Sequence, residues 1–213
     1  MPQYFEQSSK KSFGKLRMVS TAEPFVHSSQ SFPPKTGFSG SLNKSMKMNK
    51  NGHFYSPTKG QVTSDVMISE ISGFVDEEPA SFYRLVIGTD SQERRVNGSS
   101  EVDYVSAIII HRTGKGARYF WKKVKKNGKR PQLRDKIYSE TLMSLDIAQT
   151  IVPQIRKLIS PAKYDLEIHI DVGPLGPTRE MIREVVGMVN GNGFKAKTKP
   201  DSWGASSVAD KHT

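Results

Sequence analysis

Two aspartates stand in matching surroundings. Asp90 follows the run Leu85-Val-Ile-Gly-Thr89 and Asp171 follows Ile168-His-Ile170, with Gly88 and Ser91 beside the first and Gly173 and Gly176 after the second. A carboxylate leaving a strand next to a residue without bulk is placed to hold a hard cation. Mg²⁺ takes a few carboxylate oxygens and keeps several waters. Strand-ending aspartates also cap the turns that follow them, so either alone decides nothing, and it is the repeated context that favours a cation site. Glu140 is a third carboxylate of interest. At ~100° per residue, it aligns with Ile151 and Leu158 at the border of an apolar helical face, whereas Asp135 and Asp146 project away from that face. Glu140 is therefore the acid of this helix able to reach a sheet; the bland alternative is an ordinary surface glutamate. His169 lies two positions before Asp171 and shares its strand face, which places it near the acids or in the core. A buried, hydrogen-bonded histidine is the favoured reading.

The elements that must carry these residues are legible in the apolar patterning. Residues 65–75 have helical spacing at Val66, Ile68, Ile71 and Val75, with Ser64 or Asp65 available as N-cap. Strands are expected at 82–90, 102–111 and 117–125, the last two joined by Gly114-Lys-Gly116. The pattern then alternates: a helix over 133–158 that Pro153 kinks or breaks, a strand at 164–172, a helix at 178–189, a strand at 194–199 and a closing helix at 205–212. Three strands joined by short turns form an antiparallel meander, and each later strand, reached through a helix, pairs in parallel with an earlier one. The class is α/β: a mixed five-stranded sheet in the order βββαβαβα with flanking helices.

No run approaches the ~20 apolar residues of a membrane helix, and the absence of cysteine excludes disulfides and thiolate chemistry and suits a reducing, cytoplasmic setting. The missing apolar run argues against a membrane partner, and the net charge of +11 makes nucleic acid the first partner to consider. Residues 1–53 are rich in Ser, Lys, Gly and Pro and lack either period, and are expected to be a disordered basic tail before a domain at 54–213. Within residues 1–52, eight Lys/Arg face only Glu6 and Glu23, about half of the whole excess. This segment has three readings, a targeting peptide, an electrostatic arm or a solvated tail, of which the solvated tail is favoured, and Met46 or Met48 offers a later start.

The element order and five segments together resemble the ribonuclease H superfamily, and more closely its YkuK family: Ile87-Gly-Thr-Asp-Ser-Gln92, Ile137-Tyr-Ser-Glu140, Ile168-His-Ile-Asp-Val-Gly173, Gly187-Met-Val189 and Lys199-Pro-Asp-Ser-Trp-Gly-Ala-Ser-Ser-Val-Ala-Asp210. The resemblance covers roughly residues 54–213. It implies a ribonuclease H-like fold and a nuclease activity, with Asp90, Glu140, Asp171 and Asp210 as catalytic and metal-binding residues and two Mg²⁺ or Mn²⁺ ions. Paired ions ~3.5–4 Å apart activate water and neutralise the leaving oxygen in phosphodiester cleavage. Asp210 enters through the resemblance alone; otherwise it reads as a solvated acid near the C-terminus. Asp201 is a substitute that reads equally as a helix N-cap, and His212 lies close enough to Asp210 in sequence to shuttle protons.

The stretch 112–136 holds eleven Lys/Arg against Asp135 alone, interleaved with Tyr119, Phe120 and Trp121. Lys122, Lys123, Lys125, Lys126 and Arg130 are the expected nucleic-acid contacts, with phosphate neutralisation from the cations and stacking faces from the rings. Lysines that guard an edge strand against aggregation are the competing account. Three functions follow: a metal-dependent nuclease on RNA, DNA or hybrid; a binding module that keeps the fold without turnover; and, least supported, an ATPase. The last rests on Asp171-Val-Gly-Pro-Leu-Gly-Pro-Thr178, which resembles the phosphate loops of sugar kinases and actin-like proteins.

Overall fold

The computed structural model describes residues 53–96 and 99–212. Most of the expected tail, residues 1–52, lies outside these. The described chain opens with a hairpin absent from the sequence reading, β1 (Phe54–Ser56) and β2 (Gly60–Val62). Its turn closes through Ser56 Oγ and Thr58 Oγ1 at 3.1 Å, with Gly60 at φ +69°. Three-residue strands are too short to leave a period in the sequence. Helix α1 (Ser64–Asp76) follows. Its N-cap is Thr63 rather than Ser64 or Asp65, and Thr63 Oγ1 accepts from Val66 N at 3.4 Å.

The meander is β3 (Tyr83–Val96), β4 (Ser99–Arg112) and β5 (Gly116–Gly128), followed by α2 (Leu133–Leu158), β6 (Tyr164–His169), α3 (Ile182–Gly191), β7 (Lys195–Lys197) and α4 (Gly204–Ala209). The seven strands lie in the order β2-β1-β5-β4-β3-β6-β7, with β6 parallel to β3 and β7 parallel to β6. The expected five-stranded sheet is thus corrected to seven by the hairpin added at the β5 edge through Tyr55↔Trp121.

Two further expectations change. β3 does not end at a turn after Asp90: pairing with β4 runs on from Asp90↔Val105 to Val96↔Ser99. The polar run Ser91-Gln-Glu-Arg-Arg95, which lies beyond the expected strand, joins β4 in a two-stranded ribbon secured by Arg94 on the buried Asp103 and by Ser100 Oγ donating to Glu93 at 2.9 Å. Pro153 does not break α2, which runs through it to Leu158. Gln149, whose carbonyl loses its usual donor, is exposed, so water can serve that oxygen.

Both faces of the central strands are buried, which is why Leu85-Val-Ile87 and Ile108-Ile-Ile110 read as unbroken apolar runs. One face, with Leu85, Ile87, Ile108, Ile110 and Ile168, packs beneath α1, α2 and α3. On the other, Val86, Ala107 and Ile109 meet Val208 of α4, flanked by Trp203, Tyr119 and Trp121.

Candidate acidic cleft

Asp90 sits two residues beyond the last parallel pair, Gly88↔His169, so β3 continues past it on β4's side alone, while the chain of β6 turns into the loop that carries Asp171. Asp90, Glu140 and Asp171 line one cleft of about 280 Å³, together with Lys136, Lys199, Leu133, Leu175 and Thr178. These three acids thus line the same cleft, Asp90 from within a strand rather than from its end, but among the described residues no three acids or histidines stand close enough to enclose an ion.

Hydroxyls fix the floor of the cleft. Ser91 Oγ donates to Glu140 Oε1 at 2.6 Å, and Ser91 N donates to Asp90 Oδ1 at 2.7 Å. One turn along α2, Ser144 Oγ donates to Thr89 Oγ1 at 2.9 Å, tying the helix to β3 beneath the acids. Glu140 is only 4% exposed. Burial first, then the nearby Asp90 and Asp171 charges, push its carboxyl up to about 8 against the opposing pull of Ser91 and Lys136. Asp90 is shifted upward too, by desolvation and by Asp171 and Asp210.

Lys199 Nζ lies 2.8 Å from Asp171 Oδ1, an electrostatic contact off the hydrogen-bonding direction. Its own pKa is raised, chiefly by Asp171 and then by Asp90 and Asp210. Lys199 approaches because Gly173 has no side chain: a Cβ there would stand 3.2 Å from Lys199 Cβ.

Asp210 does not line the cleft. It is the exposed C-cap of α4, and it acts on Asp90 and Lys199 through its charge. Asp201 caps no helix; its carboxylate lies 4.0 Å from Lys197 Nζ, and α4 begins after Trp203 without a side-chain cap. His212 turns away from the acids and stacks on Trp121 at 3.7 Å, so the expected proton shuttle has no partner there. His169 is the buried, bonded histidine expected. Its Nδ1 accepts from Gly204 N at 3.0 Å, leaving Nε2 to donate to Glu167 Oε2 at 3.3 Å, and burial lowers its pKa. Its contact with Gly204 anchors the first residue of α4, the helix that leads to Asp210.

The five expected basic contacts do not form one patch, because alternate residues of a strand face opposite ways. Lys123 and Lys125 share the face of Trp121. Lys122 and Lys126 share that of the core residue Phe120, where Lys122 acts on Asp146 and Lys126 lies 4.9 Å from the centre of the Tyr104 ring. Several are already engaged: Lys123 reaches Asp103 at 3.3 Å, Lys125 reaches Glu101 at 2.7 Å, and Arg130 reaches Glu93 at 3.2 Å. Sequence reasoning missed Ser91, Lys136 and Lys199. The first two were within reach, as the neighbour of Asp90 and the residue one helical turn before Glu140. Lys199 is brought to Asp171 only by the chain that follows β7.

A sheet with a meander and two parallel additions, crossed by helices and carrying acids on β3, α2 and the segment after β6, defines a class that the comparisons identify. The family model described as ribonuclease H-like matches residues 66–213, and the chain belongs to that family. It is similar to the uncharacterized protein YkuK of Bacillus subtilis (strain 168), 36% identical over 172 residues, covering 75% of this chain and 96% of that protein. No solved structure matches significantly. Among the described residues no helix is long and apolar enough to cross a membrane.

Proposed function

We propose that the cleft hydrolyses phosphodiester bonds of a nucleic acid, RNA, DNA or hybrid, with Mg²⁺ or Mn²⁺ as cofactor. The observation that carries this reading is Glu140, a carboxyl buried against two other acids and driven to about 8. A group so disfavoured as an anion is one that a divalent cation would stabilise. The donor set is wholly oxygen, as these ions require. Among the described residues no three acids or histidines converge closely enough to enclose an ion, so side-chain rotation must accompany loading. Asp90, Glu140 and Asp171 would hold the metal, with Asp210 contributing at longer range or by closing in. When bound, the metal would supply charge neutralisation at the phosphate and an activated water. Lys136 offers a further cation to the phosphate, and Ser91 orients Glu140.

A second reading, a nucleic-acid-binding module without turnover, draws on Lys199, whose ammonium already compensates Asp171. Labelled RNA, DNA and hybrid substrates incubated with Mn²⁺ distinguish the two. Cleavage by the native chain and none by a folded Asp90→Asn protein is the expected result. Unchanged cleavage by that variant removes the acidic cleft from the chemistry, and binding that survives EDTA without product from any substrate favours the second reading.

A further inference from the structure

On the face of the sheet that α4 covers, a run of rings continues from the α4 cluster across β5, where they are half-buried, to the added hairpin. Tyr119, Trp121, Lys123 and Lys125 alternate onto this face of β5, and Tyr55 of the added hairpin is paired directly beside Trp121. Tyr55 stacks on Trp121 with ring centres 5.6 Å apart, and His212 lies nearly parallel to the indole at 3.7 Å. Tyr119 flanks both, 6.0 Å from Trp121 and 6.1 Å from His212. Tyr55, Trp121, His212, Lys123 and Lys125 line an open hollow of about 440 Å³, separate from the acidic cleft. Tyr55 is 41% exposed, so part of its ring is open to a partner.

The charges around the rings favour a polyanion. Arg94, Lys123 and Lys125 share Asp103 and Glu101, which leaves one positive charge in excess, and the exposed Lys211 adds another. We propose that this platform binds single-stranded nucleic acid, with unpaired bases extending the Tyr55–Trp121–His212 stack and Lys125 and Lys211 meeting the phosphates. A duplex cannot use such rings, because its bases already stack on one another; splayed bases can, and sequence matters little since every base has a π-face. The platform also gives the His212 ring a role that the acidic cleft does not. The inference rests on the reading of this protein as one that handles nucleic acid, but not on its cleaving it.

The test uses the full chain carrying Asp90→Asn, in EDTA, so that cleavage plays no part. Fluorescence anisotropy would follow labelled single strands of about 12 nucleotides, a length suited to such platforms, RNA and DNA in turn, and the matching duplexes. Single strands should bind more tightly than duplexes. Tyr55→Ala should weaken single-strand binding about tenfold, the loss of one stacked base. Lys125→Gln with Lys211→Gln, both at exposed sites, should reduce the slope of log affinity against log salt by about 1.4. Circular dichroism confirms folding of each variant. Duplex bound as tightly as single strand, Tyr55→Ala indistinguishable from its parent, or no binding of any strand overturns the proposal and leaves the rings as a protein-contact face. None of these outcomes touches the cleavage assay, which succeeds or fails on Asp90 alone.

Discussion

Replacing Glu140 by glutamine removes a titrating group whose proton is held far more tightly in the fold than in the unfolded chain. The carboxyl moves from its ordinary 4.5 to about 8, and at 1.36 kcal/mol per unit this gap amounts to roughly 5 kcal/mol. Because the folded state binds the proton more strongly, the contribution is full below pH 4.5, diminishes as pH rises and is gone above about 8. Glutamine keeps the shape and carries no proton to lose. Urea and thermal unfolding of the native chain and Glu140→Gln in EDTA should therefore agree closely near pH 4.5 and diverge by about 1.4 kcal/mol per pH unit toward pH 8. The variant should end the more stable by roughly 5 kcal/mol, or about 10–20 °C in Tm for a domain of this size. Groups remote from Glu140 titrate alike in both proteins and cancel in the difference, whereas Asp90 and Asp171, whose charges act on Glu140, soften the slope near its upper end. Mn²⁺ should restore the native chain at pH 8 and leave the variant nearly unmoved. Stability curves that run parallel across this range would refute the claim that Glu140 is protonated in the cation-free cleft, and with it the main support for a metal site.

Two other perturbations probe the supports of the cleft. Lys199→Met removes the ammonium that competes for Asp171. Mn²⁺ should then bind about two- to fivefold more tightly by calorimetry, the equivalent of an exposed ion pair worth about 0.5–1 kcal/mol, and weaker binding would mean that Lys199 assists loading. Gly204→Ala would place a Cβ 2.5 Å from Val86 Cγ1 and 3.1 Å from His169 Nδ1. A loss of about 1–3 kcal/mol is expected from such overpacking, and an unmoved urea midpoint would contradict the tight seating of α4 on the sheet.

Local patterning was enough for much of this protein. The bounds of α2 follow from the spacing of Ile137, Leu145, Ala148, Val152 and Ile155, and the meander from β-branched runs punctuated by Gly114 and Gly116, since these signals belong to single elements. The acids on β3, on α2 and after β6 were recognisable because segment and carboxylate occur together in the chain. Pairing between distant residues was not recognisable. The continuation of β3 past Asp90 depends on a partner strand that offers Asp103 to Arg94, and the Tyr55 hairpin on an open edge of β5. The split of the lysines between two faces follows from strand alternation, but which face carries rings and which meets α2 required the packed sheet. Sequence alone determined which groups could titrate or bind a cation. How far a carboxyl departs from its ordinary behaviour was decided by the tertiary structure, because desolvation and Coulomb energy depend on distances across the fold, and these arise only when β3, α2 and the segment after β6 come together.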